Sequence, residues 1–559
     1  MKRLIYILSI FFLPLTSLLA QEKDDRPNFI FILTDDQPYG YMGVTGNPVV
    51  QTPNLDKLAD EGTLFTNSHI TSPICMPSRV SILLSQYERK HGVNFNAGTA
   101  VAEEAWQNSY PMQLRKAGYF TAYVGKNHSP VGKNGYKSGI LEKSFDYWYA
   151  GHRHLGFYPK ERHKIFSDAE EDTQIEVVGE AALDALDNNE FKLEKAIKFL
   201  DKRPNDQPFL LNICFNLPHG AGTESMQMRE SDSEIYKSLY RDQEIPLAEN
   251  YIAKKDIQNS KIPLDIHHVE DRQTIYDYVN EPESTKERLI RQYQAMTGID
   301  QLVGKLRDKL KEMKVDKNTI IVFTSDHGLL MGQFGLGGKA LLYEYCTHVP
   351  MIIMDPRLPK RKRIKRSDAL VQSIDIAPTL LAKAGVSVPA SFQGKDLSQL
   401  LTEETEIRKY VFTENLWSTQ FGNPRCEAVQ DKEWKYIRYY KNENFSASKR
   451  IKYTKDLGLN VNRALYGMTD KEISIYRSYA EEPLAGEKAV YEELYHLDKD
   501  PSESTNLANS SEYQLKLEEM RKVWAKQIRL ARDKGQPLVE RFTNESSAEM
   551  EKKQANLPK

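Results

Sequence analysis

The sequence predicts an α/β fold, a large mixed and mostly parallel sheet flanked by helices, with a smaller C-terminal α+β domain. Three observations predict it. Short apolar runs alternate with helical patterns from about residue 25 to 400, as in a wound sheet. The pattern changes after Leu401, where a charged stretch from Thr402 to Arg408 precedes shorter strand-like runs. The chain of 559 residues is long enough for one large domain and a smaller one.

The elements follow in order. Lys2 and Arg3 precede an apolar run from Leu4 to Leu19, then Ala20-Gln21. A charged start, an apolar centre and small residues at the end describe a signal peptide over residues 1–20. The rival, a membrane anchor, is disfavoured because the run is short for a span and contains Pro14, Thr16 and Ser17. No later segment is long and apolar enough for a stable membrane span. The mature protein is therefore expected outside the cytoplasm, periplasmic or secreted.

Strand candidates are Phe29–Leu33, Thr121–Val124, Phe209–Phe215, Thr319–Phe323 and Val349–Met354. Each is short and apolar, as buried strands of a parallel sheet are. Helical patterns span Leu193–Leu200 and Thr285–Met313. Beyond residue 401, Tyr410–Phe412, Ala428–Val429 and Trp434–Tyr440 suggest a smaller antiparallel sheet. A helix over about Glu512–Arg532 closes this C-terminal unit of 401–540, and a charged tail occupies 541–559.

Composition excludes some classes. Charged residues are 28% of the chain but the net charge is -2, so there is no overall pull toward nucleic acid and anion binding must be local. The four cysteines, Cys75, Cys214, Cys346 and Cys426, are too few for a disulfide scaffold, although one bridge among the last three is compatible with the sequence.

Four strand candidates end in residues of catalytic type. Phe29–Leu33 runs into Thr34-Asp35-Asp36, and Thr121–Val124 into Gly125-Lys126-Asn127-His128. Phe209–Phe215 runs into Asn216-Leu217-Pro218-His219, and Thr319–Phe323 into Thr324-Ser325-Asp326-His327-Gly328. One such ending is ordinary turn chemistry. Four of them point to one site, because open α/β sheets build sites at the carboxyl ends of their strands. Asp35, Asp36 and Asp326 offer carboxylates to a hard cation, Ca²⁺ or Mg²⁺, with His327 as a further ligand. Arg79, Lys126 and Lys339 suit a tetrahedral anion, and His128 and His219 can move protons.

The segment Cys75-Met76-Pro77-Ser78-Arg79 resembles the C-x-P-S-R signature of the formylglycine-dependent sulfatases of the alkaline phosphatase superfamily. The resemblance runs from Asn28–Gln37 through Thr52-Pro53-Asn54-Leu55-Asp56, Gly125–His128, Pro218-His219, Thr324–Gly328, Gly338-Lys339 and Asp375–Leu381. It ends at Leu494–Leu497 and Asp500-Pro501…Asn506-Leu507. It implies an alkaline-phosphatase-like sheet over 25–400 and a sulfatase activity. It also implies that a maturation enzyme oxidises Cys75 to formylglycine, whose hydrate attacks sulfur. By matching position, Asp35, Asp36, Asp326, His327 and the modified Cys75 would hold Ca²⁺, with Mg²⁺ the lesser alternative. Arg79 would steady the hydrate, Lys126 and Lys339 would hold sulfate oxygens, His219 helped by Lys339 would protonate the leaving oxygen, and His128 would take the proton that releases sulfate. His327 stands where many relatives carry Asn.

The expected substrate is a sulfated carbohydrate, such as algal ulvan or carrageenan or an animal glycosaminoglycan. The alternatives are a phosphonate or phosphodiester hydrolase of the same superfamily, and a non-catalytic sulfated-glycan-binding protein. Weaker features receive bland readings. His152, His154 and His163 are taken as surface or packing residues, His348 as structural, and the basic run Arg357–Arg366 as a solvated loop.

Overall fold

The computed structural model describes residues 25–95, 99–133, 135–152, 196–197, 199–219, 221, 234–416, 424–440, 482–534 and 538–541. The signal peptide, His154, His163, the tail beyond 541 and part of the Leu193–Leu200 helix lie outside them.

The large sheet has eight strands: β1 (Asn28–Asp35), β2 (Thr63–His69), β3 (Phe120–Asn127), β4 (Tyr147–His152), β5 (Phe209–Pro218), β6 (Thr319–Ser325), β7 (Met351–Met354) and β8 (Arg366–Gln372). Their order across the sheet is β8-β2-β7-β6-β1-β5-β3-β4. β1 pairs in parallel with both β5 and β6, and β3 with β4 and β5. β7 is antiparallel to both neighbours, β2 and β6. The Val349–Met354 run, grouped by sequence with the parallel strands, is therefore the one reversed strand. The expected mixed, mostly parallel sheet is what the chain forms.

The central strand shows why these residues make this element. Ile30 and Ile32 enter the core on one face, and Phe29, Phe31 and Leu33 enter the core on the other. A strand covered on both sides needs apolar side chains at consecutive positions. One face is covered by α3 (Pro282–Glu312), whose Leu289, Met296, Ile299, Val303 and Leu306 join the Ile30 side. Each such buried side chain contributes about 1.5–3 kcal/mol. The other face is covered in part by α2 (Cys75–Leu84), all ten residues of which are buried. Pro77 is tolerated in its first turn, where an N–H would have no intrahelical partner. A short helix, α1 (Pro53–Glu61), opens with Pro at its first position and packs on α3.

The smaller unit is a four-stranded antiparallel sheet in the order β9 (Val411–Asn415), β10 (Cys426–Gln430), β11 (Trp434–Tyr439) and β12 (Tyr491–His496). Helix α4 (Gln514–Arg532) lays Leu517, Met520, Trp524 and Ile528 on one face, against Phe412, Val429, Tyr436 and Leu494. The other face packs Ile437, Tyr439 and Tyr495 against Leu341, Leu342 and Tyr343. The small sheet thus backs the segment that follows Lys339.

Two expectations are settled here. All four cysteines are free thiols, so no bridge joins Cys214, Cys346 and Cys426. The basic run lies away from the catalytic edge. β7 starts opposite Thr324 and ends opposite Ile321, so the chain leaves it at the amino end of β6 and makes the Arg357–Arg366 loop there. Much of its charge is engaged locally: Arg357 with Asp355, Lys365 with Asp60, and Arg363 with the carbonyls of Glu61 and Leu358. His348 stacks on Tyr39 at 4.1 Å, and its Nε2 lies 2.9 Å from the Thr66 carbonyl, a packing role.

Candidate active site

The carboxyl ends of β1, β3, β5 and β6 converge, as their polar endings required. Asp35 closes β1, and Asp36 follows with φ 62, the left-handed turn that aims the two carboxylates differently. The register that sets Leu33 opposite Thr324 and Thr34 opposite Ser325 brings Asp326 beside them. The Asp326 amide donates to the Thr34 carbonyl at 3.0 Å, and the His219 amide to the Asp35 carbonyl at 3.1 Å.

Cys75 is the first residue of α2, at the positive end of that helix dipole. Its sulfur lies 3.1 Å from His327 Nε2, 3.1 Å from Lys339 Nζ and 3.6 Å from Asp35 Oδ1. One turn on, Arg79 Nε donates to Asp326 Oδ2 at 2.8 Å, and its Nη2 donates to Asp35 Oδ2 at 2.9 Å. Lys126 Nζ also donates to Asp35, and Lys339 Nζ donates to Asp36 Oδ1 at 2.8 Å. His327 Nδ1 is 3.2 Å from Asp36 Oδ1, and His219 Nε2 is 3.7 Å from Asp36 Oδ2. Ligand-type atoms of Asp35, Cys75, Asp326 and His327 all fall within 4.8 Å of one another, as do those of Asp35, Asp36, Cys75 and His219.

The structure thus gathers nine of the ten residues singled out from sequence. His128 is the exception in kind. It is buried at the end of β3, edge-on to Phe95 at 5.4 Å and facing Tyr136 at 6.5 Å. Arg79 also differs in what it touches: it braces Asp35 and Asp326 from behind.

The electrostatics follow from burial and pairing. Burial pushes Asp35 up, but Lys126 and Arg79 outweigh it and hold the carboxyl well below the usual range. For His327 burial works downward, and Asp326 and Cys75 overcome it, raising the imidazole to about 9. His219 is pushed well below the ordinary histidine value by burial and by the charges of Lys339, Lys126 and Arg288.

The donor set fits a hard divalent cation. Asp35 and Cys75 belong to two overlapping ligand groups, one completed by Asp36 and His219 and the other by Asp326 and His327, and carboxylate oxygens of this kind are what Ca²⁺ or Mg²⁺ favours. Arg79, Lys126 and Lys339 offset the three carboxylates one for one, which leaves the imidazolium of His327 as the surplus charge these groups bring toward an anion. A divalent cation held by the carboxylates would add to it.

Sequence reasoning missed the support on the Lys339 side. Arg272 is fully buried, and its guanidinium donates to the Gly337 carbonyl at 3.0 Å and to the Lys339 carbonyl at 3.1 Å. The Ala340 amide donates to the Pro73 carbonyl at 2.9 Å, tying this segment to the loop before Cys75. Gly328 is obligatory, since a Cβ there would fall 2.1 Å from the Tyr345 carbonyl oxygen. None of these roles leaves a local signature.

A family model described as Sulfatase matches residues 27–386, about two-thirds of the chain. The chain belongs to the sulfatase family. With the family comes the reaction class, sulfuric ester hydrolysis. A second model, N-sulphoglucosamine sulphohydrolase, C-terminal, matches residues 332–456 of this sulfatase. It is 26% identical over 549 residues to an N-acetylglucosamine-6-O-sulfatase of Bacteroides thetaiotaomicron, covering 89% of this chain and 86% of that one. Among solved structures, it resembles a protein in complex with its substrate D-glucosamine-2-N,6-O-disulfate. The TM-score is 0.62 at 21% identity, over 92% of this chain and 99% of the other. It also resembles the phosphonate monoester hydrolase of Agrobacterium radiobacter, with a TM-score of 0.64 at 18% identity, over 91% and 96%. These two likenesses concern the fold.

Proposed function

We propose that this sulfatase is exported and removes sulfate from a sulfated carbohydrate, through a formylglycine made from Cys75 by a maturation enzyme, with Ca²⁺ bound by Asp35, Asp36, Asp326 and His327. The observation that carries the reading is the position of the Cys75 sulfur. It stands at a helix start, 3.1 Å from both His327 and Lys339, within reach of the converging carboxylates.

An aldehyde at position 75 supplies, once hydrated, one oxygen to attack sulfur and a second hydroxyl whose deprotonation frees the sulfate. A divalent cation held by Asp35, Asp36, Asp326 and His327 would supply positive charge to favour that nucleophile. The chain's own residues do the rest. Arg79 fixes the two carboxylates that come from different strands. Lys126 and Lys339 are the fully or nearly fully buried cations placed to take sulfate oxygens. When the sulfur–oxygen bond to the sugar breaks, the leaving oxygen needs a proton. Lys339 is the protonated member of the pair in contact with Asp36 and is placed to deliver it, and neutral His219 beside it can serve only once the negative charge of a bound sulfate favours its protonated form. The base that accepts the hydroxyl proton in the second step is assigned to His128 by the resemblance alone, its place being two residues beyond Lys126 at the end of β3.

Support for the carbohydrate substrate comes from the relatives, one named for N-acetylglucosamine 6-sulfate and one seen with a disulfated glucosamine. Support for export comes from the charged start and apolar run of residues 2–19. Among the described residues no helix is long and apolar enough to cross a membrane. The likeness to a phosphonate monoester hydrolase keeps phosphorus esters in the test.

The test is sulfate release by protein from a maturation-competent host, against sulfated oligosaccharides, phosphonates and phosphodiesters, with mass spectrometry of the Cys75 peptide. Sulfate release together with an aldehyde mass is expected. Unmodified thiol in an active preparation, or turnover of phosphorus esters alone, would overturn the reading.

A further inference from the structure

Among the described residues, Arg288 is a charge with no counter-charge. It sits in the second turn of α3, is 4% exposed, and forms no ion pair with any described residue. Its Nε and Nη1 have no hydrogen-bond partner among the described residues. Its guanidinium lies 4.1 Å from the centre of the Tyr278 ring. A buried cation without an anion is costly, and an aromatic face offsets only part of that cost.

The surroundings place it at the catalytic edge. α3 has 31 residues and feeds through a short turn into the amino end of β6, which has 7. At about 1.5 Å per helical residue and about 3.3 Å per strand residue, the helix is roughly 46 Å long against roughly 23 Å for the strand. Its first turns therefore overhang the end of β6 where Asp326 and His327 lie. Contacts agree. Tyr278 packs edge-on to Tyr276 at 6.1 Å, and the Tyr276 ring lies so close over Gly338 that a Cβ there would meet it at 2.2 Å. Lys339 is the next residue. The Arg288 charge is also one of those that depress His219.

We propose that Arg288, seated on Tyr278, is a subsite for a second anionic group of the substrate, a further sulfate or a uronate carboxylate carried on the sulfated sugar or its neighbour. The inference rests on the sulfated-carbohydrate reading above. A guanidinium presents paired N–H donors that match the two oxygens of either group. Tyr278 supplies the platform that keeps the fork oriented. Lys126 and Lys339 meet the sulfate that is removed, and Arg288 meets the anion that stays. The enzyme then discriminates between singly and multiply charged sugars at a residue that takes no part in breaking the ester.

The experiment is calorimetric binding to Cys75→Ala protein, which cannot form the aldehyde, so it does not depend on the reaction. The probes are glucosamine 6-sulfate, glucosamine-2-N,6-O-disulfate, and a 6-sulfated disaccharide containing a uronic acid. At least one two-anion probe is expected to bind about tenfold more tightly than the one-anion probe, the scale of a charge-assisted hydrogen bond. Arg288→Gln on the same background should erase that ratio, and Arg288→Lys should keep part of it. Which two-anion probe gains identifies sulfate or carboxylate as the group held. Equal weakening of all probes by Arg288→Gln would mean a packing role and overturn the proposal. So would equal binding of all probes by the Arg288 protein, absence of binding included. Sulfate release by matured wild-type protein is scored separately, so a failed reaction is not confused with a failed subsite.

Discussion

His327 Nε2 stands 3.1 Å from the Cys75 sulfur although 252 residues separate them in sequence. The meeting is made by the sheet. β6 pairs in register with β1, and Ser78 Oγ donates to the Asp326 carbonyl at 2.5 Å, locking the start of α2 to the end of β6. The imidazole also lies 3.2 Å from Asp36 Oδ1 and 3.6 Å from Asp326 Oδ1, so it borders the whole cation pocket.

His327→Ala should therefore weaken the activating cation. Removing a ligand or a residue that orients ligands typically costs 10–100-fold in metal affinity. Activity measured against free Ca²⁺ after chelation should require about that much more metal. An unchanged calcium dependence would remove His327 from the site. His327→Asn, which puts a ligating amide oxygen in place of the ring nitrogen, should lose less.

Arg79 is the second test. Its Nε and Nη2 bind carboxylates from two different strands, and all three side chains are buried. Removing one partner of a buried ionic group leaves uncompensated charge and costs about 3–5 kcal/mol. Arg79→Ala should lose stability on that scale in urea unfolding at neutral pH. Arg79→Lys should recover little, because one ammonium cannot reproduce a fork that reaches both acids. A loss under about 1 kcal/mol would show that the acids are held apart by other means.

Metal removal gives the third. A ligand that binds only the folded state stabilises it by about 2.7 kcal/mol at a hundred times its dissociation constant. Chelation should lower the melting temperature and abolish sulfate release together, and Ca²⁺ should restore both. Mg²⁺ should restore less if its stricter octahedral demand is poorly met by this cluster. Activity that survives exhaustive chelation would exclude the cation from the reaction.

Much of this site was legible in sequence because strand ends announce it. Asp35, Lys126, His219 and Asp326 each follow an apolar run of strand length, and such endings meet only at the carboxyl edge of a wound sheet. The strands that escaped notice are those with mixed faces. Thr63–His69 and Arg366–Gln372 mix polar with apolar residues, Tyr491–His496 sets two glutamates side by side, and Tyr147–His152 is an aromatic run that gives way to small residues. Arg288 and Arg272 were invisible for another reason. Each is one basic residue in a helix rich in charge, and only packing shows that the side chain turns inward. The basic run Arg357–Arg366 is the converse case, conspicuous in sequence and placed by the reversed β7 at the wrong edge of the sheet.

Asp300 supplies the last prediction, on stability against pH. It lies in α3 and is 1% exposed. Its Oδ1 accepts the Leu55 amide at 2.7 Å and its Oδ2 accepts Asn54 Nδ2 at 2.9 Å, capping the first turn of α1 from the neighbouring helix. Burial raises its pKa from 3.8 to about 6, because two or three neutral donors do not repay the desolvation of the charge. The folded state therefore holds this proton more tightly than the unfolded chain does. The stabilising contribution is full below about pH 4 and is lost as pH rises through about 6. At 1.36 kcal/mol per unit the swing is about 3 kcal/mol. Asp300→Asn keeps an acceptor for Leu55 and, with the Asn54 amide turned over, a partner there as well, yet it cannot ionise. The difference in unfolding free energy between the variant and the wild type should therefore shift in favour of the variant by about 2 kcal/mol between pH 4.5 and 8, the first third of the swing lying below that window. All other titrating groups are common to the two proteins and cancel. A difference that does not change with pH would mean that Asp300 stays ionised throughout, with the cap donors sufficient to solvate it.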